Sequence, residues 1–332
     1  MQLTQLILEG NRLSLSRLLT QVENDSPEGR AALVELFSHT GQAHLIGVTG
    51  APGTGKSSLV NQLTLFYRKQ QNKKVAIIAV DPSSPFTGGA VLGDRVRMRD
   101  LSGDDGVFIR SMASRGSVGG LAQTTASFTQ VFDAAGYDII IIETVGAGQS
   151  EVDIARLAHT TIVVEAPGLG DDIQAIKAGI LEIADVLVIN KADRPGVENT
   201  ERALRTALGL AHPAKRVFRH HGQTISIDVP ETDAKIWAPP IHKTIATDGT
   251  GIAELADSIA KHVAHLHQNG DWALRERARL GSELDAVLQE ELMSQFLEKV
   301  QKEKYDEIVE NVLQRNISPY EAVRMLLNGN LK

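Results

Sequence analysis

The stretch GVTGAPGTGKSSLV, Gly47 to Val60, constrains this chain more than any other. Gly50-Ala51-Pro52-Gly53-Thr54-Gly55-Lys56-Ser57 matches G-x-x-x-x-G-K-[ST] at every fixed position. The apolar run LIGVT precedes it as a strand would, and SSLVNQLTLFY follows with the spacing of an amphipathic helix. Glycines at these places let the backbone take up dihedrals closed to other residues and turn successive N–H groups toward one anion. The following helix aims its unpaired N–H groups and the positive end of its dipole at the same point. Gly50, Ala51, Pro52, Gly53, Thr54, Gly55, Lys56, Ser57 and Ser58 therefore read as a cradle for nucleotide phosphates. Lys56 is placed to reach the β- and γ-phosphates, and the Ser57 hydroxyl to ligate Mg²⁺.

A strand-loop-helix unit of this kind belongs to a sheet. Apolar runs of β type at 44–49, 75–80, 107–110, 138–142, 161–165, 186–189 and 241–245 alternate with helical patterns. DIIII and VAIIAV are nearly continuous in apolar character, as in strands covered on both faces. The expectation is an α/β fold of the P-loop NTPase type, a mostly parallel sheet flanked by helices with right-handed crossovers. Three regions separate by texture: an N-terminal helical extension (1–41), the P-loop domain (42–268) and a C-terminal helical arm (269–332). In the extension, Leu15, Leu18 and Leu19 recur at helical spacing, and Ser26-Pro27 reads as a helix start. In the arm, Leu280, Leu284, Val287, Leu288, Leu292 and Phe296 form one stripe among charges, and Ser318-Pro319-Tyr320-Glu321 is a capping box. Such an arm suits packing on its own domain and suits dimerisation or partner binding equally.

Composition narrows the function classes. The chain has 332 residues, 42% of them hydrophobic, enough for one large α/β domain with appendages. A net charge of −7 argues against a general nucleic-acid binder. The absence of cysteine excludes disulfides and thiolate metal sites and points to a reducing, cytoplasmic home. MQLTQLILEGNRLS lacks the layout of a signal peptide, and no apolar stretch is long enough for a membrane span.

Two further sets of residues bear on the ligand. VLVINKAD ends an apolar strand with N-K-x-D. Asp193 can accept hydrogen bonds from guanine N1–H and the exocyclic amino group, a donor pair that adenine lacks. Asn190 would hold the base edge and a neighbouring loop, and the Lys191 stem would cover the ring. IATDGTGI supplies a second loop on the base side through Ile245, Ala246 and Thr247, with the Ala246 N–H facing the guanine carbonyl. Asp81 and Glu143 end apolar strands, and Asp94 lies in the segment GAVLGDRVRM. Carboxylates beside a phosphate loop are placed to hold Mg²⁺ or its waters.

Together GAPGTGKSS, VDPSSPFTGGAVLGDRVRM, RSMASRGSVGGL, IIIIETVGAGQSEVDIA, GLGDDIQAIKAGILEIAD and NKAD closely resemble the MeaB/ArgK family of P-loop GTPases, the methylmalonic aciduria type A proteins among them. The likeness covers about residues 1–200 and, more loosely, the helical ends. FRHHGQTISIDVPETDAKIW, within residues 211–240, departs from the family pattern. The resemblance implies a GTP- and Mg²⁺-dependent chaperone of an adenosylcobalamin-dependent acyl-CoA mutase, such as methylmalonyl-CoA mutase, that gates cofactor loading and usually forms a homodimer. It places the Mg²⁺-linked acids on Asp81, Asp94 and Glu143. It places the switch segments on about 81–105, 143–156 and 167–178, with Lys177 matching a lysine that couples the partner to hydrolysis.

Hydrolysis needs charge neutralisation at the phosphates and an oriented water. Lys56 and Mg²⁺ supply the first. Ala147 stands where Ras-like proteins carry their water-orienting glutamine, and Gln149 lies too far along to replace it. Slow intrinsic turnover follows, quickened when a partner rearranges the switches and brings Lys177 or Arg115 inward. Two rivals stay open. A phosphate loop serves a kinase equally well, though no acceptor site with a committed base is evident. A nickel or cobalt metallochaperone of the same branch would want cysteine or histidine near the nucleotide loops. His262, His265 and His267, on one helical segment, read as solvated side chains.

Overall fold

The isoleucine run at 139–142 lies at the centre of the sheet and explains its two-sided cover. Alternate side chains of a strand point to opposite faces. Ile140 and Ile142 accordingly join one buried cluster, and Ile139 and Ile141 join another. The computed structural model describes residues 2–82, 98–101, 103–114, 120–144, 156–168, 181–210, 217–220, 223–226 and 237–328.

Seven strands form a parallel sheet: β1 (His44–Thr49), β2 (Val75–Pro82), β3 (Val107–Ser114), β4 (Ile139–Thr144), β5 (Thr160–Glu165), β6 (Val186–Asn190) and β9 (Ile241–Thr244), in the order β3-β2-β4-β1-β5-β6-β9. These are the seven apolar runs of the sequence, with ends moved by a few residues. A separate antiparallel pair, β7 (Val217–His220) and β8 (Gln223–Ser226), occupies the stretch that departs from the family pattern.

One face of the sheet carries α1 (Gln2–Leu8), α2 (Arg12–Glu23), α3 (Pro27–Leu36) and α5 (Gly120–Ala134). Leu18, Leu19, Leu36, Phe128 and Phe132 of these helices share a buried cluster with Ile78 and Ile140. Ser26 caps α3 by accepting from the Gly29 N–H at 3.0 Å, as Ser26-Pro27 predicts. The N-terminal helices thus bury their apolar sides in the core of the sheet itself. The other face carries α4 (Lys56–Gln71) and α7 (Ile252–Asn269), with Leu59, Leu63, Leu255 and Ile259 against Val48, Ile77 and Val188. Each such aliphatic side chain contributes about 1.5–3 kcal/mol by leaving water. α6 (Val197–Leu210) covers β5 and β6 through Leu204.

The chain divides into two compact units, Met1–Leu280 and Gly281–Lys332. The first contains the sheet. The second contains the later part of α8 (Asp271–Lys299), α9 (Lys302–Leu313) and α10 (Pro319–Asn328). Ser318 and Glu321 form the predicted capping box: Glu321 N–H donates to Ser318 Oγ at 3.2 Å, and Ser318 N–H to Glu321 Oε2 at 2.8 Å. No described helix is long and apolar enough to cross a membrane.

Candidate functional site

β1 delivers the phosphate loop at its C-terminal end, beside the ends of β4 and β5. Two glycines of the loop, Gly50 and Gly55, are required by their surroundings. Gly50 has φ 139°, and a methyl there would overlap the carbonyl oxygen of Val164 on β5. Gly55 has φ 91°, and a methyl there would overlap the Asn190 amide. The loop is closed from within: Thr54 Oγ1 donates to Ala51 O at 3.0 Å, and Lys56 Nζ donates to Gly50 O at 2.8 Å and Ala51 O at 3.0 Å. Lys56 and Ser57 are buried in the first turn of α4, which opens at the loop's last glycine. An ammonium and a helix N-terminus thus converge on one loop, an arrangement suited to a phosphate.

Glu143 is 4% exposed near the end of β4, in register with Val48 and Ala79. Ser57 Oγ donates to its Oε1 at 2.6 Å. This donor set fits Mg²⁺: a hydroxyl oxygen and a carboxylate are hard oxygen ligands, and the hydroxyl can keep donating to Glu143 while a lone pair faces a cation. Asp81 is next to last in β2, opposite Ala113 of β3. Asp94, Lys177, Arg115 and Gln149 lie outside the described residues.

Asn190 joins the two halves of the site. It is 2% exposed at the end of β6. Its Nδ2 donates to Thr54 O of the phosphate loop at 2.8 Å. Its Oδ1 accepts from the Ala246 N–H at 3.1 Å and from Thr244 Oγ1 at 3.2 Å. The Ala246 N–H, expected to face the base, is thereby engaged with Asn190 in this structure. Lys191, held at φ 59°, reaches back to Gly53 O at 2.6 Å. Asp193 is exposed at the head of the turn. Ile245 bridges to Thr250, which closes the second loop and leaves Thr247 exposed at its tip. Pro52 and Ser58 stand exposed at the mouth of the cradle. Thr244 escaped the sequence reading; the available signal was a hydroxyl at a strand end directly before the second base-side loop.

The late histidines depart from expectation. His262 is fully buried, because its face of α7 lies on β5 and not in solvent. Its Nδ1 lies 2.9 Å from Thr160 Oγ1. His267 is exposed, as expected. Among the described residues, no group of three or more His, Asp or Glu side chains is placed to hold a metal ion.

The family described as methylmalonyl-CoA mutase-associated GTPase MeaB matches residues 15–301. A Pyrococcus abyssi protein carrying a GTPase name is 42% identical over 98% of this chain and 95% of its own. The GTPase ArgK of Escherichia coli is 35% identical over 79% of this chain and 75% of its own. Among solved structures, one named as a LAO/AO transport system kinase aligns with a TM-score of 0.65 at 26% identity, covering 100% of this chain and 97% of that one.

Proposed function

The chain belongs to the MeaB family of methylmalonyl-CoA mutase-associated GTPases, and from that premise we propose that it binds GTP between residues 50–58 and Asn190, Lys191 and Asp193, and hydrolyses it as a chaperone of an adenosylcobalamin-dependent acyl-CoA mutase. The observation that carries this reading is the Asn190 clamp, which joins the phosphate loop, the N-K-x-D turn and the Ala246 loop. In that cleft Lys56 neutralises phosphate charge, and Asp193 selects guanine by accepting from its N1–H and amino group. Ser57 and Glu143, with Asp81 and Asp94, would hold Mg²⁺, which supplies charge neutralisation at the phosphates when bound. Ala147 stands where Ras-like proteins carry their water-orienting glutamine, so a partner completes the site, with Lys177 moving toward the phosphates.

The mutase role rests on the family's name and on relatives such as the mitochondrial methylmalonic aciduria type A homolog of Caenorhabditis elegans, 29% identical over 87% of this chain. The second unit is the proposed homodimer surface: Leu284, Val287, Leu288 and Leu292 are exposed along α8. The deciding experiment is a pull-down from the source cell with a non-hydrolysable GTP analogue. Retention of a cobalamin-dependent mutase supports the reading, and its absence with GTP analogue and GDP alike overturns it. The kinase reading, kept open by the name of the structural neighbour, requires labelled γ-phosphate to appear on a protein or metabolite and not in water.

A further inference from the structure

The ends of the strands opposite the phosphate loop carry a second polar cluster that the nucleotide site does not use. His44 opens β1, Thr160 opens β5 with His159 just before it, and Asp185 directly precedes β6. α7 adds His262, and the first turns of α8 add Trp272, Arg275, Glu276 and Arg279. His159, His262 and Asp185 are 3%, 0% and 1% exposed.

A backbone hydrogen bond fixes the proton on the His159 ring. The Leu45 N–H donates to His159 Nδ1 at 3.1 Å, so the His159 proton sits on Nε2, which meets Glu276 Oε1 at 2.6 Å. His262 Nε2 lies 3.4 Å from Asp185 Oδ1 without a hydrogen bond, and its Nδ1 lies 2.9 Å from Thr160 Oγ1. Thr160 Oγ1 also lies 2.9 Å from His44 Nε2, so one hydroxyl bridges the two rings. His159 is thus locked in one tautomer, and the Thr160 hydroxyl links His44 to His262.

The surrounding charges are already matched. Arg275 clasps Asp185 through two bonds of 2.9 Å, and Arg279 clasps Glu276 at 2.9 and 3.0 Å. Arg275 also donates to His159 O, and Trp272 lies against the His159 ring at 3.9 Å between centroids. Asp271 faces His265 beyond the centre of the cluster, and Trp272 stacks on His267 at 4.4 Å. An imidazolium formed here meets two arginines and two carboxylates that those arginines already occupy. A second proton on His159 would also point its Nδ1–H at the Leu45 N–H.

We propose that this cluster is an acid-sensitive clasp: neutral His44 and His159 hold residues 271–280 of α8 at the N-terminal ends of β1 and β5, and protonation of these imidazoles releases them. Burial, followed by the charges of His159, His262 and Arg275, holds His44 well below the ordinary histidine value. Burial lowers His159 as well, against the opposing pull of Glu276. Burial opposes ionisation of Glu276, but bonds from His159 and Arg279 draw its carboxyl down to about 2, so it remains an anion throughout the acid range.

Hydrogen exchange on the full chain tests the clasp. After correction for intrinsic rates, exchange in 271–280 rises about tenfold or more between pH 7.5 and 5.5, while α4 is unchanged. In the double variant His44→Gln, His159→Gln, whose amides cannot take up a proton, the rise disappears. Equal exchange at the two pH values in the native chain, or an undiminished rise in a folded variant, overturns the proposal. Ring-proton NMR of the native chain gives a test that needs no variant. The assigned rings of His44 and His159 titrate below 6.5, and titration of either at or above that value overturns it.

Discussion

Replacing Asn190 by alanine removes the side chain on which both halves of the nucleotide cleft depend. Its three shorter bonds go, to Thr54 O (2.8 Å), from Ala246 N–H (3.1 Å) and from Thr244 Oγ1 (3.2 Å), and with them a longer one to Gly55 O (3.4 Å). Asn190, Thr54, Thr244 and Ala246 are all buried, so water replaces the lost partner poorly. At about 1 kcal/mol for each stranded polar group, the variant loses about 3 kcal/mol. Urea unfolding of the nucleotide-free protein measures this loss directly. The three loops then no longer share one register, and GDP affinity by calorimetry falls by at least about tenfold, or 1.4 kcal/mol. Thr244→Val removes only the hydroxyl bond and costs about 1 kcal/mol or less. An Asn190→Ala protein destabilised by less than about 1 kcal/mol that binds GDP within about threefold of the parent would refute the clamp.

Asp193→Asn exchanges an acceptor for a donor at the base edge. GDP affinity falls by about 100-fold or more while that for xanthosine diphosphate rises, and calorimetry with both nucleotides reads the exchange. Ser57→Ala and Glu143→Gln each lower Mg²⁺-dependent phosphate release by about 100-fold, whereas GDP binding in chelator changes little. Native His44 and His159 bind protons more weakly than they do in the unfolded chain. Their stabilisation is therefore complete above the ordinary value of 6.5 and is lost as pH falls through it, by up to about 1.4 kcal/mol per group per pH unit in urea titrations. Leu288→Glu, at an exposed position of α8, converts a dimer to a monomer by light scattering without lowering GDP affinity.

What was legible in the sequence had its causes close together along the chain. Strands buried on both faces must be apolar at every position, so DIIII and VAIIAV announced themselves without reference to their neighbours. The phosphate loop is one contiguous motif, recognisable from its own residues. The Ser318 capping box likewise closes within four residues. Other features depended on partners far away in the chain. The overlap that keeps Gly50 a glycine comes from Val164, and the amide that meets Gly55 and Thr54 comes from Asn190. His262 had the look of a solvated residue because α7 alone does not reveal which face lies on β5. It was buried by the placing of β5 beside β1, which brings residues 44, 160 and 262 to one point. Periodicity records that a side chain is buried or exposed on its own element; the order of strands, set by packing over more than a hundred residues, decides what it touches, and so Asn190 became a clamp and the histidines a clasp only once the sheet was assembled.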